Sequence, residues 1–79
     1  MVLWNHINTT EDLYMKYQEL VSRKKHYENV LQEIESDIAE YFLCEQQPPE
    51  ILLEQEKAAK KVIAEAESHL NAIDWILNN

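Results

Sequence analysis

The stretch Tyr41–Gln55, YFLCEQQPPEILLEQ, is the one place in the chain where a helix has to stop, and its reading decides the fold. A residue that precedes proline is pushed out of the helical region, so Gln47 and Pro48 are extended. Pro49 suits the first turn of a new helix, where its missing N–H costs nothing, and Glu50 favours the positive end of that helix's dipole. The chain has no glycine, and its only prolines are Pro48 and Pro49. Helix punctuation is therefore missing everywhere else, which argues against a sheet with tight turns.

Upstream of this break, seam positions recur at steps of four and three: Leu13, Tyr17, Leu20, Lys24, Tyr27, Leu31, Ile34, Ile38 and Tyr41, with Lys24 the polar interruption. That is a heptad pattern. Asn8, Thr9 and Thr10 are good N-caps, and Glu11 and Asp12 suit a helix N-terminus. A helix is thus expected over 10–45, preceded by an apolar N-terminal arm, 1–9. Downstream, Leu52, Glu56, Ala59, Ile63, Ala66, Leu70, Ile73 and Leu77 form a second seam, in a helix expected over 50–77. A turn over 46–49 joins them. The expected fold is all-α, an antiparallel two-helix hairpin of coiled-coil type.

In such a hairpin an a position faces a d position. Pairing residues whose numbers sum to 97 satisfies this at every layer: Ile38 with Ala59, Ile34 with Ile63, Leu31 with Ala66, Tyr27 with Leu70, Lys24 with Ile73, and Leu20 with Leu77. Glu35 then falls near Lys60, Lys24 reaches Asp74, and Glu28 and Glu67 share a flank.

This register leaves Leu13, Tyr14 and Tyr17 overhanging. Val21, Val30 and Phe42 flank the first seam, Leu53, Val62 and Ile76 flank the second, and Trp75 lies on the outer face. A hairpin has no interior for all of these, and contiguous exposed apolar patches mark interaction sites. Cover is expected from the arm, with Trp4 and Ile7 over Tyr14 and Tyr17, from a second copy completing a four-helix bundle, or from another protein. The expected partner-binding residues are Trp4, Leu13, Tyr14, Tyr17 and Trp75, since hot spots favour Trp and Tyr.

A chain of 79 residues makes one domain with a small core. Its net charge of -8 disfavours direct nucleic-acid binding and anionic membrane surfaces. MVLWNHI, at the start, is too short for a signal-peptide core or a membrane span. Cys44 is alone, so no disulfide forms within the chain, and a reducing, cytoplasmic compartment is expected.

Chemistry is thinly represented. His26 and His69 fall roughly level in this register, with Glu33 nearby, yet no spacing of metal-ligand type is present. They read as surface histidines, and no metal or cofactor is expected. His6, in the arm, has no evident partner. Cys44 adjoins Glu45 and lacks the base and electropositive setting of a nucleophile. SRKKH (Ser22–His26) and KAAKK (Lys57–Lys61) read as the cationic halves of charge pairs. Without glycine there is no phosphate-cradling loop, and a two-helix rod makes no concave pocket. Neither an enzyme nor a small-molecule substrate is expected.

These readings point to a small acidic protein–protein interaction module of adaptor, chaperone or regulator type, binding through an aromatic-rich end. The alternative is an acidic inhibitor, a nucleic-acid mimic that occupies a partner's basic surface through the rows Glu33, Asp37, Glu40 and Glu50, Glu54. In outline the chain resembles small acidic helical hairpins such as secretion chaperones and short regulatory or phage-encoded inhibitors; no motif selects one of them.

Overall fold

The proline pair does reverse the chain. In the computed structural model, which describes the backbone of residues 3–78 and the side chains of residues 10–78, helix α1 spans Leu3–Leu43 and helix α2 spans Glu50–Asn78. The two pack against each other as an antiparallel hairpin.

Every position of both seams is buried or half-buried. Leu20, Ile38, Ala59, Ala66 and Ile73 are the buried apolar side chains among the described residues. Two of the five are alanines, which lets the helix axes approach closely.

The end of α1 explains how a chain without glycine turns. Glu45 takes the left-handed conformation, with φ 56°. The Gln46 N–H donates to the Tyr41 carbonyl at 2.8 Å and the Glu45 N–H to the Phe42 carbonyl at 3.0 Å. This is the Schellman pattern, which satisfies carbonyls that the helix end would leave unpaired. Glycine normally occupies the left-handed position; glutamate there costs about 1 kcal/mol. Pro48 is buried against the end of the hairpin, and the Pro49 carbonyl accepts from the N–H groups of Leu52 and Leu53, which starts α2. At the other end, the Asn78 side-chain amide donates to the Asp74 carbonyl and carboxylate, both at 2.9 Å.

Two expectations are corrected. First, α1 begins at Leu3 and not at residue 10, so the backbone of the expected arm continues the helix and does not fold back. Asn and Thr cost only a few tenths of a kcal/mol in a helix interior, and with no Gly or Pro upstream, propagation continues past a usable cap. The side chains of Trp4, His6 and Ile7 lie outside the described residues. The helix also ends at Leu43, two residues early.

Second, the register is one heptad away from the expected one. Leu13 and Tyr17 pack, with Leu70 and Leu77, against the cluster of Leu20, Ala66 and Ile73. Lys24 Nζ lies 3.2 Å from Glu67 Oε2, so its ion-pair partner is Glu67 and not Asp74. Tyr41 borders the same hollow as Pro49, and Tyr27 the same hollow as Val62. Facing residues thus have numbers summing to about 90, which again sets a against d. A shift of seven leaves the pattern of layers intact, so periodicity cannot choose between the two. The short capped connection chooses: α2 starts beside Tyr41. The choice also covers Leu13 and Tyr17, which were expected to overhang, adding the Leu13–Leu77 and Tyr17–Ile73 layers, while Tyr14 stays exposed.

The result is a rod of 61 × 18 × 16 Å with a radius of gyration of 18.1 Å, where a compact chain of this length has about 12 Å. It exposes 6442 Å², against about 5,000 Å² for a compact monomer of the same mass.

Candidate functional site

With the seams at a and d, the two helices meet along two flanks. The g positions of α1 (Lys16, Arg23, Val30, Asp37, Cys44) adjoin those of α2 (Gln55, Val62, His69, Ile76). On the opposite flank the e positions adjoin: Tyr14, Val21, Glu28, Glu35 and Phe42 from α1, and Leu53, Lys60, Glu67 and Asp74 from α2.

The g flank is a groove. Three hollows follow one another along it. The first is bordered by Asp37, Glu40, Tyr41, Cys44, Pro49 and Leu52, at the turn. The second shares Asp37 and Leu52 with it and runs over Val30, Ile34, Ala58 and Val62. The third shares Tyr27 and Val62 with the second and ends at Arg23, Glu65 and His69. From Tyr41 back to Leu20 the groove follows α1 for about 30 Å at 1.5 Å per residue. Apart from Pro48, Val30 and Val62 are the only described residues outside the two seams that are not exposed. They form the apolar floor at the groove's middle, with Asp37 and Arg23 a heptad to either side of Val30.

Of the residues expected to bind a partner, Leu13 and Tyr17 are half-buried in the seam. Tyr14 and Trp75 are 55% and 68% exposed, at e of α1 and f of α2. The side chain of Trp4 is outside the described residues. Exposed apolar side chains collect at both ends. Phe42, Leu43, Ile51 and Leu53 surround the turn, and Tyr14, Met15, Trp75 and Ile76 lie towards the open end.

His26 and His69 are not level. The His26 ring makes an edge-to-face contact with Tyr27 at 5.3 Å, whereas His69 borders the groove beside Arg23. Among the described residues no group of three His, Cys, Asp or Glu side chains converges as a metal site. Cys44 is exposed, with the carboxylates of Asp37 and Glu40 around the same hollow. Both basic clusters supply ion pairs, Lys24 with Glu67, and Lys60 with Glu56 at 3.7 Å; Lys16 pairs with Glu19 at 3.6 Å. Among the described residues no helix is long and apolar enough to cross a membrane.

The groove was missed by sequence reasoning although Val30 and Val62 stood out as apolar residues beside the seams. In the register expected there, Val62 lies a heptad away from Val30, and only the observed register brings them together. No protein-family model, curated protein or solved structure matches the chain.

Proposed function

We propose that this chain is a protein–protein interaction module whose working surface is the g-flank groove, which accepts an amphipathic helical ridge and so completes a helical bundle. The observation that carries this reading is the unbroken run of three hollows over the half-buried Val30 and Val62. Helices in bundles are apolar at a, d and one flanking position, and at the middle of this hairpin that position is g, through Val30 and Val62. A groove of this length between two helices is suited to helix-in-groove recognition. The excess surface of the rod supports the same reading, since a core of five buried apolar side chains among the described residues gains most from a partner. The single free thiol, Cys44, fits a reducing compartment such as the cytoplasm.

The test is position-specific photo-crosslinking in the native cell. Ala58 borders the groove and Ala64 is exposed on the back of the same helix, so the two make a matched pair. A photo-reactive residue at 58 should join the chain to a polypeptide, its own or another, and one at 64 should not. Equal yields from both positions, or none from 58, would overturn the proposal.

A second reading is favoured by one feature. Glu33, Asp37 and Glu40 border the turn-end half of the groove, where they would receive a basic surface, as an acidic inhibitor does. Binding of that kind weakens steeply with salt, whereas binding through the apolar floor does not.

A further inference from the structure

The groove's charges are arranged about its centre in a way that names its occupant. Arg23 lies one heptad before Val30 and Asp37 one heptad after it; on α2, Gln55 and His69 stand in the same relation to Val62. All six residues border the two hollows that meet at Tyr27 and Val62. We infer that the occupant is a second copy of this chain, packed groove to groove about a two-fold axis passing by Val30 and Val62, with the two turns at opposite ends. This rests on the groove being the binding surface.

A two-fold interface brings the same patch of each copy together, so a residue i that meets j is matched by j meeting i. With the axis at Val30, Arg23 of each copy comes level with Asp37 of the other, giving two symmetric opposite-charge pairs on either side of an apolar centre. Glu33 comes level with His26 of the second copy. The unfavourable match is Glu19 with Glu40, both at c on the outer rim, where water screens them. The other two-fold arrangement, with both turns at one end, sets Arg23 against His69 and Asp37 against Gln55, and its one opposite-charge match is His26 with Glu65 at c on the outer rim. Charge complementarity therefore selects the head-to-tail arrangement as well as the partner.

The available area agrees. With the axis at Val30 the two rods, each 16–18 Å wide, overlap over about 40 Å of α1 centred on it, which offers roughly 700 Å² per copy, within the range of a standard interface of about 800 Å² per partner. The four helices would form an up-and-down bundle in which neighbouring helices are antiparallel.

A charge exchange on the full-length chain tests this. Arg23 and Asp37 are exposed in the single hairpin, so Arg23→Asp and Asp37→Arg should leave helicity unchanged by circular dichroism. Sedimentation equilibrium should show the parent as a dimer. Each single variant should dimerise about tenfold or more weakly, because it places like charges opposite each other. The double variant Arg23→Asp, Asp37→Arg should recover most of the parent's affinity. Single variants that dimerise like the parent, or a double variant weaker than either single, would overturn the inference. So would a parent that stays monomeric at high concentration. In that last case, crosslinking from position 58 to a different protein would leave the groove reading standing, and absence of any crosslink would remove both.

Discussion

The two flanks of this hairpin are built from the same pair of helices and the same seam, yet they differ in kind. Along the e flank the central positions are Glu28, Glu35, Lys60 and Glu67, all exposed, and the Lys24–Glu67 ion pair spans the two helices there. Along the g flank the centre is Val30 and Val62, half-buried above a groove, with charge held one heptad away on either side. At its middle one flank is finished against water, and the other has an apolar centre of the kind that lines a bundle interior. The difference lies at the middle of the rod, where the e flank is charged and the g flank is apolar.

The largest effect should come from placing charge in the finished flank's counterpart. Val62→Lys puts an ammonium at the middle of the groove and should abolish association, read by sedimentation, while helicity is kept. Glu28→Lys makes a comparable change on the e flank and should leave association unaltered. Equal losses from both would erase the distinction between the flanks.

Next in size is the shared seam. Ala66 is 2% exposed and packs with Leu20 and Ile73. Ala66→Leu should overpack this layer and lower stability by about 1–3 kcal/mol in chemical denaturation. An unchanged or raised midpoint would mean that the helices are less close than the seam requires. Smaller, and opposite in sign, is the turn. Glu45→Gly relieves the left-handed glutamate and should raise stability by about 1 kcal/mol. A loss on thermal melting would show that the Glu45 side chain contributes more than its backbone strain costs. The smallest effect belongs to the e flank's ion pair. Glu67→Gln removes a half-exposed partner of Lys24 and should cost under about 0.5 kcal/mol, vanishing at high salt.

How far these features could be read in advance divides along physical lines. Both seams were legible, because a period of three and four residues is a local property of the chain: each position from Leu13 to Tyr41 and from Leu52 to Leu77 that was assigned to a seam is buried or half-buried. The register was not, because a shift of seven preserves every a–d layer, and the choice lies in a connection closed by Glu45. No signal in the sequence marks Glu45 as left-handed, since the usual marker, glycine, is missing from the chain. The error then spread. Leu13 and Tyr17 were expected to overhang, and Val30 and Val62 were expected apart. The groove depends on which residues of two distant segments come level, so it became visible only with the structure.

The central claim is that the g flank closes on a second copy in head-to-tail fashion, and Cys44 gives direct access to it. It is the chain's only cysteine, it is exposed, and it stands at the turn. A nitroxide attached there in the full-length protein places one label on each copy without further substitution, and pulsed dipolar spectroscopy reads their separation. With the axis at Val30, the two labels should be about 40 Å apart, two heptads of α1 on each side at 1.5 Å per residue. A separation below about 25 Å would place the turns together, and a sample with no dipolar coupling between chains would mean that the groove does not receive a second copy.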